Sequence, residues 1–230
     1  MDIVGIYLRE AMKEGCPVCR ILGEYEESEI NTILYEHVND PTVRVKFKES
    51  LGLCTYHAWK TLKTAYSNPL LGPLGVAIIY EHMLSTYIKI LESWEKVKEG
   101  ECFLCLLVEE KEKDTVEAIT EKIEELLPVY ESSEAILCKR HHEMIDSILR
   151  KKNPQSAERL RKVQLEKLKK LRERMNSFIN KFDYKALERP TRGEVSSLPM
   201  TIEALKGLEN GATLRKKERK KRTRGVLLWR

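Results

Sequence analysis

Alternation of apolar and polar residues, the mark of a half-buried strand, never persists beyond a few residues in this 230-residue chain. A sheet-based fold is therefore excluded and an all-α fold is expected. No apolar run approaches the length that crosses a bilayer, so no integral membrane segment is expected. The opening MDIVGIYLREAMKEG is amphipathic and too charged for a secretory apolar core, which points to the cytoplasm, where disulfides are rare. P-loop, GxSxG, HExxH and Gly-rich dinucleotide signatures are all missing. No catalytic residue stands out, and a non-enzymatic protein is the expectation. Asn and Gln are few beside abundant Lys and Glu, a balance that resembles thermophile proteins.

Cysteine is scarce too, but its placement is ordered. All six cysteines fall into CxxC or CxxH motifs: Cys16 and Cys19 in GCPVCRIL, Cys54 with His57 in GLCTYHAW, Cys102 and Cys105 in GECFLCLL, and Cys138 with His141 in AILCKRHHEM. The two CxxC motifs are 86 residues apart and the two CxxH motifs 84 apart, so the chain contains an internal repeat. That period is longer than those of solenoids and indicates two copies of a small helical unit, each with four candidate ligands.

Three thiolates and one imidazole complete a tetrahedral shell, the closed arrangement of structural zinc, with no position left for water. Two zinc ions per chain are expected, bound by Cys16, Cys19, Cys54 and His57 in the first copy and by Cys102, Cys105, Cys138 and His141 in the second. An iron–sulfur cluster is the minor alternative. His142 adjoins His141, but alignment of CTYH with CKRH favours His141 as ligand and leaves His142 as an exposed or supporting neighbour. A thioredoxin-like role for CPVC would require a βαβ context, which is absent.

Apolar residues three and four apart mark helices along nearly the whole chain. They run from Cys16 through Val38, from Cys102 through Leu127, through LCTYHAWKTLKTAY and LCKRHHEMIDSILRKK, and from Pro73 to Gly100. A long helix is expected from Asn153 to Phe182, with Pro154 near its start, Ser156 as a possible cap and an apolar stripe including Leu160, Val163, Leu171 and Phe182. KALERPTRGEVSSLP reads as a breaker-rich connection and PMTIEALKGLENG as a short final helix. Glu24, Glu26, Glu27 and Glu29 read as a solvated acidic face, His37 and His82 as partly buried helix residues, and Trp59 and Trp94 as core.

The stretch CPVCRILGEYEESEINTILYEHVNDPTVR, together with GLCTYHAW, the second cysteine pair, LCKRHH and KFDYKALERPTRGEVSSLPMTIEALKG, resembles an uncharacterised family of helical bacterial and archaeal proteins with CPxC and CxxH motifs. The resemblance spans roughly residues 10–208 and implies a helical fold and metal ligands, not an activity. The expected layout is a first repeat with its connecting helix over 1–100, a second repeat over 101–152, the long basic helix and final helix packing on the repeats over 153–210, and a basic tail over 211–230.

Charge follows a different map. Residues 1–150 carry 17 Lys/Arg against 27 Asp/Glu, residues 151–182 carry 11 against 3, and the last sixteen carry 9 against 1, within a chain whose overall net charge is +5. An acidic body with basic attachments suits a polyanionic partner. The tail residues Arg215, Lys216, Lys217, Arg219, Lys220, Lys221, Arg222 and Arg224 form a phosphate-binding arm in this reading, with Trp229 available to stack on a base. Structured RNA, ribosomal RNA included, is the expected partner. Val226, Leu227, Leu228 and Trp229 offer a protein partner an apolar contact. The competing readings are a thiol redox or metal-sensing protein using the CxxC pairs, and a protein–protein adaptor.

Overall fold

The computed structural model describes residues 2–94, 96, 100–182 and 188–208. Among these there are ten helices and no strand: α1 (Ile3–Ala11), α2 (Pro17–Glu36), α3 (Pro41–Glu49), α4 (Thr55–Ser67), α5 (Leu74–Glu92), α6 (Phe103–Glu121), α7 (Ile123–Ser132), α8 (Lys139–Lys152), α9 (Pro154–Asn180) and α10 (Arg192–Lys206). The chain divides into two compact units, residues 2–21 with 113–208 and residues 22–112, so the boundaries fall inside α2 and α6. The units thus follow neither the order of the repeats nor the four segments expected from the sequence.

Local chemistry explains the helix starts. Asp40 accepts from the Thr42 and Val43 N–H groups and Pro41 follows at the first helical position, where a missing N–H costs nothing. The long helix α9 starts in the same way after Asn153, whose side chain accepts from Ser156 N–H at 3.1 Å. Asn153 is therefore the cap, and Ser156 is the residue it satisfies. α10 begins well before the expected final helix. Thr191 and Glu194 form a reciprocal capping box, which overrides the breaker appearance of Pro190, Gly193 and Pro199.

In the unit spanning 22–112, Ile30, Ile33, Leu34, Phe47, Ala65, Val76, Ile79, Met83 and Phe103 are buried together, with Phe47 and Phe103 edge to face at 5.1 Å. The connecting helix α5 stops at Glu92 rather than reaching Gly100. By length and composition alone α5 is long and apolar enough to cross a membrane, because Glu81 and Lys89 are the only formal charges between Leu74 and Leu91. This corrects, in length and composition, the reading that no apolar run approaches a membrane span. The tryptophans are also corrected: Trp59 is 60% exposed and Trp94 is 94% exposed, so neither is core.

In the other unit α9 packs on α7, α8 and α10. A buried polar relay fixes the segment that carries Cys138. Tyr130 donates its hydroxyl hydrogen to Gln164 Oε1, Gln164 Nε2 donates to Leu137 carbonyl oxygen at 2.8 Å, and Leu137 N–H donates back to the Tyr130 oxygen at 2.9 Å. Every polar atom of that ring finds a partner, as burial demands. The apolar stripe of α9 is buried at Leu160, Val163 and Leu171, whereas Ile179 and Phe182 at its end are exposed.

Candidate metal centres

The two CxxH motifs build the same local structure. Cys54 and Cys138 occupy the N-cap positions of α4 and α8 with nearly identical extended backbone angles (φ −61°, ψ 161° and φ −68°, ψ 157°), and neither side chain makes a capping bond. Each thiol is turned instead toward the histidine three residues on, in the first helical turn. The CxxC motifs open α2 and α6. Pro17 takes the first helical position of α2, and Phe103 that of α6. Each cluster thus joins the opening turns of two helices, where the positive end of the dipole favours thiolate.

The structure brings all eight expected ligands together, but in a different pairing. One group is Cys16, Cys19, Cys138 and His141, all four buried. The other is Cys54, His57, Cys102 and Cys105. In each, the four donor atoms lie within 4.8 Å of one another. The sequence-based pairing of each CxxC with the CxxH that follows it is therefore corrected. The alternatives contain the same donor types, so local spacing does not distinguish them. Loop-closure entropy does so only weakly: extending the link from 35 to 119 residues costs about 1 kcal/mol, less than tertiary packing supplies. The resulting topology is nested, with the Cys54–Cys105 group enclosed in sequence by the other.

The geometry fits a tetrahedral ion. Bond lengths typical of zinc place sulfurs about 3.8 Å apart and sulfur about 3.5 Å from nitrogen. Around His141 Nδ1 the sulfurs of Cys16, Cys19 and Cys138 lie at 3.3, 3.4 and 3.2 Å, and Cys19 and Cys138 are 3.9 Å apart. Around His57 Nδ1 the sulfurs of Cys54, Cys102 and Cys105 lie at 3.3, 3.5 and 3.3 Å, and Cys54 and Cys105 are 3.6 Å apart. With Nδ1 facing the sulfurs, the Nε2 atom of each ring is left to carry the proton.

At His57 that proton has a defined destination. Nε2 donates to Glu26 Oε1 at 2.5 Å, and Glu26 Oε2 also accepts from Tyr56 hydroxyl at 3.3 Å and from Lys60. Glu26 is fully buried, which corrects its assignment to a solvated face. Burial alone would raise its pKa, but His57 and Lys60 outweigh it and hold the carboxyl below the usual value. A carboxylate on the far nitrogen orients a ligating histidine and increases its basicity. The repeat offered a signal for this residue: Glu112 lies 86 positions beyond Glu26 and is also buried.

The other group has its own support. Cys16 N–H donates to Glu203 Oε1 at 2.6 Å, and Ile136 N–H to Gly15 carbonyl oxygen at 3.0 Å. Gly15 has φ +63°, a conformation that favours glycine, and a Cβ there would displace the Glu203 carboxylate that holds the Cys16 N–H, its Oε1 standing 2.9 Å away. As free thiols the members of each group compete for charge. Neighbouring Cys105 and Cys54 draw Cys102 down to about 3, while Cys102 and Cys54 push Cys105 up. Cys16 and Cys19 likewise lower Cys138, whereas burial and then Cys138 raise Cys16. One thiolate per group is favourable without help, and a bound cation stabilises the rest.

His142 belongs to neither group; its Nε2 is buried without a partner among the described residues. His37 and His82 are half-buried and also stand outside them. The proposed tail ligands Arg215 to Arg224 and Trp229 lie outside the described residues. Among the described residues, fold and sites define an all-helical protein with two Cys/His tetrads able to hold metal ions. The chain belongs to a family of unknown function, DUF6062, whose model matches it twice, over residues 1–100 and 86–211. The second match stops short of the cationic run beginning at Arg215. No curated protein and no solved structure matches the sequence.

Proposed function

We propose that this is a non-enzymatic zinc protein of the cytoplasm that associates with structured RNA. In this reading both tetrads hold structural zinc: three soft sulfur donors and one imidazole in a closed tetrahedral shell leave no site for substrate or water. The observation that carries the RNA reading is a basic row on α9. Arg161, Lys169 and Arg172 stand at i, i+8 and i+11 on one exposed helix face, and none has an ion pair among the described residues. The cationic run from Arg215 to Arg224 would extend the contact to further phosphates.

Elemental analysis of protein purified without added metal should give close to two zinc per chain; iron with visible charge-transfer absorption would overturn the metal assignment. RNA recovered with the protein from native lysate should disappear after RNase treatment, and deletion of 215–230 should weaken RNA binding while leaving zinc content intact. Salt-insensitive association, or association with proteins alone, would replace the RNA reading with that of an adaptor.

A further inference from the structure

Helix α5 has two apolar faces. Val76, Ile79 and Met83 are buried in its own unit. A second row, Ala77, Tyr80, Leu84, Tyr87, Leu91 and Trp94, recurs at alternating steps of three and four, the spacing of a coiled-coil seam. Tyr80 is half-buried, but the rest of the row is exposed, with Leu84 at 60% and Leu91 at 58%. Trp94 ends the row just beyond the helix. Its φ of +55° is a left-handed conformation that a bulky side chain rarely adopts and that usually falls to glycine at this position. Such a cost is consistent with a use for the exposed indole.

We propose that this row is a homodimer seam in which α5 packs antiparallel against α5 of a second copy. A two-fold axis between residues 85 and 86 pairs Leu84 with Tyr87, Tyr80 with Leu91, and Ala77 with Trp94. The smallest residue of the row then receives the largest, and both copies satisfy the same contacts, as an isologous interface requires. A parallel pair would stack Trp94 on itself. It would also bring Lys89 and Lys96, which have no ion pair among the described residues, beside those of the second copy, like charge against like, and set the two helix dipoles side by side in the same sense. The exposed row offers on the order of 500 Å² per copy, or about 1,000 Å² for the pair, at the lower limit of specific interfaces. The dimer is accordingly weak and concentration-dependent.

Sedimentation of the full zinc-loaded chain under reducing conditions should show the mass rising with concentration from 26.8 kDa toward twice that value. Leu84→Glu with Leu91→Glu should weaken association at least about tenfold, with helicity and metal content unchanged because both positions are exposed. Ala77→Trp alone should weaken it, and adding Trp94→Ala should restore it, since an antiparallel register exchanges the two positions. A monomer at every concentration, or a dimer indifferent to the Leu84 and Leu91 changes, overturns the proposal. Failure of the double exchange to rescue overturns the antiparallel register. A monomer that binds phosphatidylglycerol vesicles with a blue shift of Trp94 emission assigns the face to lipid instead.

Discussion

Glu26, itself fully buried, accepts from His57, Tyr56 and Lys60. Replacing it by alanine strands the His57 N–H and the Lys60 ammonium together, and loss of such an outer carboxylate typically weakens metal binding about 10- to 100-fold. Competition with a chromophoric chelator should therefore show one weakened ion in Glu26→Ala and one unchanged, with Glu26→Gln intermediate because it keeps an acceptor. Equal retention of both ions by Glu26→Ala would mean that the carboxylate does not support the metal. All eight members of the two Cys/His groups were legible in the sequence because cysteine is rare and its spacings repeat. Glu26 was not, because four glutamates within six positions look like a solvated face, and the 86-residue repeat pairs both Glu24 with Glu110 and Glu26 with Glu112, so burial is needed to single it out.

Among the helices, α10 shows how a short local signal outweighs composition. Pro190, Gly193, Ser196, Ser197 and Pro199 suggested a connection, yet Thr191 and Glu194 cap each other and α10 starts at Arg192. Glu194 also accepts from Ser177 hydroxyl at 2.5 Å in the last turn of α9 and from Lys181 ammonium at 3.0 Å at its C-cap, so one carboxylate serves both the cap and the helix pair. Ser177 first, then the Thr191 N–H and Lys181, lower its pKa from 4.5 to about 2. The folded pKa lies below the unfolded one, so this stabilisation is complete above about pH 4.5 and is lost as pH falls toward 2. The protection of the α10 amides, taken relative to the intrinsic exchange rate at each pH, should fall over that interval more in the wild type than in Glu194→Gln; parallel curves would refute the assignment. Helix existence was readable from apolar periodicity, whereas the ends of α5 and α10 depended on cap geometry that periodicity does not report.

At the scale of the molecule, the nested pairing makes a prediction that stoichiometry alone can check. Cys16, Cys19 and Cys138 belong to one group, so replacing all three by serine should leave one metal ion per chain. The tandem pairing suggested by sequence order would spread the same substitutions over two groups and damage both. A residual content near zero would restore that tandem scheme. Sequence could place every half-site yet not join them, because identical half-sites exchange freely and the closure penalty that separates the schemes is about 1 kcal/mol.

Nesting also sets a timetable for biosynthesis. The Cys54–Cys105 group is complete once its last cysteine has left the ribosome, but Cys16 and Cys19, translated earlier, wait for His141, which lies 122 residues beyond Cys19. At about 5–20 residues per second that delay is roughly 6–24 s. The first thiols made are the last to be joined. Through that interval a nascent chain presents a bare CxxC pair to oxidants and to competing metals, and any product truncated before residue 141 carries that exposure permanently.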